Sequence, residues 1–416
     1  MSYGIVVSKD VMVEMRDGIR LATDVHRPGR DGELVPGRFP TIVCMTPYDK
    51  SERRYVEIAD FFVPHGYAVV LQDHRDRHRS EGTNEYFHTV TPHTGADGYD
   101  TIEWIAAQSW SNGRTGTVGS SYAGITQIRT ALERPPHLTA IWPDVAPTNA
   151  FVNQTREGGA MQLHMFWALY IHAADHQGVK EDWEKQREVF GDLQRLRELF
   201  WSSPVLRDDL ALRHAPTLAQ ALEDYVTRGA YDEFWARKEN DFTAFWHEHA
   251  DIPATMTTGW YDPFPHADSE YFAAMTAKNE APQRLIVGPW SHVGMRGDAT
   301  WTLDVDYGPA SVWGVQRYFQ EQLEFFNRWL PDDATGHPAD EAPVKIFVMG
   351  GGSGRKTELG KLDHGGRWRD EQEWPLARTQ FTDFYLHSGG DANSVHGDGT
   401  LSQDGPGDER PDHFLY

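Results

Sequence analysis

Cysteine is almost missing: the 416-residue chain has one, Cys44. An internal disulfide and a cysteine-built zinc site are thereby excluded, and a reducing cytoplasm is the expected compartment. Long hydrophobic runs are missing too. No stretch approaches the roughly 20 apolar residues of a spanning helix. Met1 to Asp10 has no basic stretch followed by an apolar one, so neither a membrane span nor a secretion signal is expected. Positive charge is scarce, with 39 Lys and Arg against 62 Asp and Glu and a net charge of −23. Such a surface is repelled by phosphate backbones and anionic lipid, which argues against nucleic-acid and membrane partners. What is present is a globular composition, 39% hydrophobic and 12% aromatic, with enough apolar mass for a sizeable core spread over two or three domains.

Strand and helix patterns alternate through the first third. Val11 to Val25 reads as a hairpin turning at Asp17-Gly18. Pro40 to Met45 and Tyr67 to Leu71 are runs apolar on both faces, as buried parallel strands are. Helical spacing follows at Tyr55–Val63, Asp97–Gln108 and Ile125–Leu132, with strands at Arg114–Val118 and Leu138–Trp142. The alternation predicts an α/β domain with a mostly parallel sheet. From 148 to 250 strand signals vanish. Gly159–Ala174, Glu181–Trp201, Thr217–Tyr225 and Tyr231–His247 predict a helical insertion. The α/β pattern resumes at 251–335, with strands at Pro253–Thr258 and Leu285–Val287 and a helix at Trp313–Trp329. From 336 to 416 turn residues and short β runs predict an all-β domain. The chain stops at Phe414-Leu415-Tyr416 in an apparent strand, so this domain is expected to be incomplete.

The hexapeptide Gly119-Ser120-Ser121-Tyr122-Ala123-Gly124 lies between a strand and a helix, the setting of a nucleophile elbow. A serine in that sharp turn needs small residues two positions to either side. Ser121 has Gly119 and Ala123 there, whereas Ser120 would have Val118. Alone, the string is equally an ordinary Gly-Ser turn before a helix. A serine hydroxyl also needs an imidazole to take its proton and a carboxylate to orient that imidazole. Asp262 and His292 each follow a strand, in the chain order Ser, Asp, His. His266 stands too close to Asp262 to be the separate base, and Asp304 and Asp306 come after His292. An oxyanion hole would draw one donor from the Tyr122 backbone N–H and a second from the Pro47-Tyr48-Asp49 loop.

Six motifs occur in order: Pro47-Tyr48-Asp49-Lys50, Gln72-Asp73-x-Arg75, Ser80-x-Gly82, Gly119-x-Ser121-Tyr122-x-Gly124, Gly259-Trp260-Tyr261-Asp262 and Gly288-Pro289-Trp290-Ser291-His292. Together they make the chain, from about Val11 to its end, resemble the X-prolyl dipeptidyl-peptidase and cocaine-esterase-like family of serine hydrolases. The resemblance implies an α/β-hydrolase domain (1–147 and 251–335), a helical cap (148–250) and a C-terminal jelly roll (336–416). It implies the triad Ser121, Asp262 and His292, with the Tyr48 hydroxyl and the Tyr122 amide as oxyanion hole. Phe264 would line the acyl pocket, and no metal or cofactor is implied. Trp167 and Phe166 on the first cap helix are candidates either for the pocket wall or for the core. One departure is Asp76, where the family has glycine after the arginine of Gln-Asp-x-Arg-Gly.

The expected partner is a small-molecule ester or amide, and a homo-oligomer is compatible with the sequence. An X-prolyl dipeptidyl-peptidase, an acylase and a non-catalytic ligand-binding protein are the alternatives. Binding a substrate amine would call for a buried carboxylate. The cap segment nearest the elbow offers Asn149, Asn153, Gln154 and one acid, Glu157, beside Arg156 that is expected to neutralise it. Neutral esters with aromatic or medium aliphatic acyl groups are therefore the expected substrates. Gly350 to Thr357 imitates a phosphate loop but has Arg355 where glycine must precede the lysine. Asp73 to His78 imitates a metal site, yet its cationic side chains oppose a cation, and a salt-bridged loop is expected.

Overall fold

The computed structural model describes residues 2–82, 92–162, 164–176, 178–201, 210–336 and 341–413. The strand expected at 414–416 lies outside them. Two compact units result, 1–374 and 375–416.

The first unit is built on one sheet. Its longer strands are β1 (Gly4–Glu14), β2 (Arg20–Arg30), β3 (Phe39–Thr46), β4 (Ala68–Asp73), β5 (Ser111–Ser120), β6 (Leu138–Asp144), β7 (Ala254–Tyr261), β8 (Gln283–Ser291), β9 (Val344–Met349) and β10 (Gly366–Glu371), and Glu33–Leu34 adds a short piece beside β2. They lie in the order β1-β2-β4-β3-β5-β6-β7-β8-β9-β10. The pairs from β4 through β9 are parallel, and the two ends close antiparallel. Strand alternation sends neighbouring residues to opposite faces. Val43 and Val70 join one core with Ile102, Ile105 and Ile128. Ile42, Cys44, Val69 and Leu71 join a second core with Ile58, Phe62, Phe319 and Phe326. Helices α1 (Arg53–Phe62) and α9 (Gly314–Asn327) thus cover one face, and α2 (Thr94–Ala106), α3 (Tyr122–Leu132) and α8 (Pro265–Lys278) the other.

Between β6 and β7 the chain forms the cap helices α4 (His164–Asp175), α5 (Trp183–Gln194), α6 (Leu196–Trp201) and α7 (Pro216–Thr227). Three details depart from the sequence expectation. Residues 159–162 do not begin α4, because Arg156–Glu157 and Ala160–Met161 pair as short strands. The helix expected over Glu181–Trp201 breaks at Arg195, whose φ of −110° and ψ of 20° leave the helical region. Tyr231–His247 is not helical until a 3₁₀ turn at Thr243–Glu248. There Asp232 and Asp241 use their carboxylates on the backbone N–H groups of Phe234 and Thr243, a local competition that undoes helices.

Strands β9 and β10 fall within 336–416, yet they extend the main sheet: Val344 to Met349 pairs with β8 on one side and β10 on the other. The smaller unit has its own antiparallel pair, β11 (Tyr385–His387) and β12 (Thr400–Ser402). The Gly350–Thr357 segment is a loop exposed along nearly all its length.

Candidate active site

Strand β5 passes into helix α3 through Ser121, which adopts φ 62° and ψ −121°. That left-handed conformation is costly for a residue with a Cβ and marks a held turn. The turn is held from both sides. The Ser121 N–H donates to the Asp144 carbonyl at 2.9 Å, while its own carbonyl accepts from Gly124 and Ile125 at 2.8 and 3.0 Å. Gly124 lies so close to the end of β6 that a Cβ there would meet Asp144 O and Ala146 Cβ at 2.9 Å. Tyr122 opens α3, so its N–H lies at the positive end of the helix.

His292 follows β8 and Asp262 follows β7. His292 Nδ1 and Asp262 Oδ2 are 2.7 Å apart. The other carboxylate oxygen, Oδ1, accepts the Phe264 N–H at 2.8 Å, which locks the plane of the carboxylate. The Asp262 side chain is 0% exposed, so its two oxygens are left to the imidazole and the Phe264 N–H. The ring of Phe264 stands edge-on to His292, 5.6 Å between centroids, and edge-on to His164 on α4 at 5.5 Å. His266 is exposed on the first turn of α8.

Ser121, Tyr48, His292 and Trp167 border two cavities. One, of about 250 Å³, is closed by Phe264, Ile125 and Met165. The other, of about 930 Å³, runs past Arg54, Arg77 and Tyr318. Phe166 instead lies in the core with Leu169 and Tyr170. Burial pushes the Tyr48 hydroxyl up to about 12, against a smaller lowering by Arg54 and Arg77. It therefore holds its proton at neutral pH and can donate it. Burial and the nearby His292 push His164 down to about 4, which keeps that ring neutral beside His292.

The Asp73 to His78 loop is salt-bridged as expected. Lys50 Nζ meets Asp73 at 3.2 Å, Arg75 meets Asp97 and Asp17 at 2.6 and 2.8 Å, and Arg77 meets Asp175 at 2.9 Å. Asp76 turns the chain with φ 62°, a conformation glycine takes freely and aspartate tolerates. The expected neutralisation of Glu157 by Arg156 does not occur. Glu157 accepts from Gln162 Nε2 at 2.9 Å, while Arg156 is buried and donates to the Tyr225 carbonyl. Asn149 and Asn153 also turn inward, capping the backbone of 148–152, so of that segment Gln154 reaches the smaller cavity.

One residue escaped the sequence reading. Asp144, at the end of β6, accepts from Trp142 Nε1 at 2.8 Å, Tyr318 OH at 2.5 Å and Ser120 Oγ at 3.4 Å. Burial raises its carboxyl to about 7. The local sequence Trp142-Pro143-Asp144 carries no signal for this, because Tyr318 comes from α9.

The X-Pro dipeptidyl-peptidase (S15 family) model matches residues 17–294, and the model of the X-Pro dipeptidyl-peptidase C-terminal non-catalytic domain matches 336–416. Cocaine esterase of Rhodococcus sp. (strain MB1 Bresler) is 32% identical over 99% of this chain and 67% of its own length. Two solved structures are similar in fold. An α-amino acid ester hydrolase has a TM-score of 0.66 at 22% identity, over 98% of this chain and 64% of the other. A CocE/NonD family hydrolase from Staphylococcus aureus has a TM-score of 0.60 at 21% identity, over 92% of this chain and 59% of the other. The likenesses show an α/β-hydrolase fold with a C-terminal region of strands. The chain spans about three fifths to two thirds of the length of these proteins.

Proposed function

Because the chain belongs to the X-Pro dipeptidyl-peptidase S15 family of serine hydrolases, we propose that it cleaves carboxylic esters through an acyl-enzyme on Ser121. The observation that carries the reading is the junction itself: a strained serine on the same cavity walls as a histidine locked to a buried carboxylate.

In this reading His292 Nε2 takes the Ser121 proton as Oγ attacks the ester carbonyl. Asp262 orients the ring and stabilises its cation. The oxyanion accepts hydrogen bonds from the Tyr48 hydroxyl and the Tyr122 N–H. Collapse expels the alkoxide, which takes the proton back from His292 and departs as the alcohol. Water then adds to the acyl-serine by the same route and frees the acid. The smaller cavity, with Phe264, Ile125 and Met165 on its wall, takes the acyl group. At about 250 Å³ it suits an aromatic or medium aliphatic chain. The inward-turned Asn149 and Asn153 and the distant engagement of Glu157 leave this cavity with no carboxylate, among the described residues that line it, for a substrate amine.

The test is a panel of neutral nitrophenyl esters against Xaa-Pro anilides on one preparation at neutral pH. The esters are expected to exceed the anilides at least tenfold in kcat/KM. A ratio favouring the anilides would overturn the ester reading in favour of a dipeptidyl-peptidase.

A further inference from the structure

The two cavities that meet at Ser121 differ in charge. The smaller one is apolar at its far end. Among the described residues, the larger one carries four guanidinium groups, Arg53, Arg54, Arg77 and Arg296, against two carboxylates, Glu52 and Asp175. In a chain where acids outnumber bases 62 to 39, the residues that line this cavity have the opposite ratio.

Two of the four arginines are committed elsewhere. Arg53 reaches Glu57 at 3.2 Å and Asp60 at 2.9 Å along its own helix, and Arg296 Nη2 reaches Glu57 at 2.8 Å. Arg54 and Arg77 each have one carboxylate partner too, but keep N–H donors without a partner among the described residues. Arg54 is half exposed and is held through Nε by Glu52 at 2.9 Å. Its guanidinium lies 5.1 Å from the ring centre of Tyr48 and 4.9 Å from that of Tyr55, and its terminal nitrogens make no hydrogen bond to a described residue. Arg77 is 2% exposed. It has Asp175 at 2.9 Å and two long contacts to the His172 carbonyl at 3.4 and 3.5 Å, while its Nε has no partner among the described residues. Burial lowers its affinity for the proton, and Asp175 offsets only part of that. A buried guanidinium short of acceptors gains free energy from a further anion. Both groups also act on the Tyr48 hydroxyl, and Arg54 stands against its ring, so the spare donors lie beside the oxyanion donor.

We infer that the larger cavity receives a leaving group carrying a carboxylate, met by Arg54 and Arg77 beside Tyr48. The inference rests on the reading of Ser121 as the acyl-enzyme nucleophile. The substrate then has two unlike ends, an apolar acyl group and a hydroxy acid joined by the ester bond. On acyl transfer the ester C–O bond breaks, His292 returns its proton to the leaving oxygen, and the hydroxy acid departs. The carboxylate stays ionised throughout and serves recognition alone.

The experiment compares ortho-nitrophenyl butyrate with the same ester bearing a carboxylate on the nitrophenyl ring, in wild type and in Arg54→Gln. The readout is the ratio of the two kcat/KM values in each enzyme. Dividing one enzyme's ratio by the other's cancels the different reactivity of the two phenols and any effect of Arg54 on Tyr48. The ratio is expected to fall about tenfold in Arg54→Gln, mainly through KM of the carboxylated ester. Arg54→Lys should keep most of it, and raising the salt roughly tenfold should shrink the wild-type ratio. A ratio unchanged within twofold in Arg54→Gln overturns the inference, because Arg54 would then serve the oxyanion or only pack on Tyr48. Wild type that cleaves neither ester overturns the acyl-enzyme reading itself, and the inference with it.

Discussion

The Cβ that Gly119 lacks would stand 2.5 Å from the Cβ of Ala123. Carbon atoms in contact need about 3.5–4.0 Å, so the two positions share room for one methyl group. A strict nucleophile-elbow string has glycine at both. This chain spends the room on Ala123 and leaves Gly119 bare at φ 142°. Gly119→Ala is therefore expected to cost at least about 2 kcal/mol from the clash and the backbone strain together. Ala123→Gly should fold, and adding it to Gly119→Ala should recover the part due to the clash. Chemical denaturation of the three variants checks this, and a Gly119→Ala protein as stable as wild type would remove the close approach from the argument.

Ser121→Ala is expected to lower kcat on a short-chain nitrophenyl ester by about 10⁴ to 10⁶ with the fold intact. A fluorophosphonate probe sharpens the test, because the smaller unit holds a second serine, histidine and acid in line. Ser402 Oγ is 2.9 Å from His387 Nε2, and His387 Nδ1 is 2.5 Å from Glu409 Oε1. Ser402 sits on a strand rather than in a strained turn, and Glu409 raises the His387 pKa, which favours the protonated form that cannot act as a base. Labelling should vanish in Ser121→Ala and persist in Ser402→Ala. The opposite pattern, read by peptide mass spectrometry, would move the nucleophile.

Tyr48→Phe removes a hydroxyl that keeps its proton at neutral pH, being pushed up to about 12. A donor that meets the oxyanion mainly in the transition state acts on kcat. The expected loss in kcat is roughly 10² to 10³ with KM little changed. An unchanged kcat would assign the second donor to a backbone N–H.

Asp144 makes stability depend on pH. Burial raises its native pKa to about 7 from the ordinary 3.8, so between those values the native state holds a proton that the unfolded chain has released. Its contribution is complete below the unfolded value and is lost as pH rises through 7, on the order of 1 kcal/mol per pH unit. Asp144→Asn removes this titration. The difference in unfolding free energy between Asp144→Asn and wild type should shift in favour of the variant from pH 5 to pH 8. A difference independent of pH would mean that Asp144 is ionised in the folded protein.

The elbow was legible because its signals are local. A strand run, five small residues around one tyrosine and a helix run lie within about twenty positions of one another. Asp262 and His292 each close an apolar run that any parallel sheet would bury. The alternation of strand and helix likewise announced the α/β layers, since burial on both faces is written into each strand's own residues. Interactions between distant segments were not legible. Val344 to Met349 was visible as a strand, but its pairing with β8 depends on an edge presented by another segment. Asp232 and Asp241 undid an expected helix by capping the backbone next to them, a competition that periodicity does not register. The arginine cluster on the larger cavity is the clearest case. Arg54 comes from α1, Arg77 from the loop after β4 and Arg296 from the turn after β8, and Arg296 meets Glu57 across 239 residues of sequence. Apolar period and turn chemistry act between neighbours in the chain. Which charges share a cavity is settled only when the sheet brings its loops to one edge.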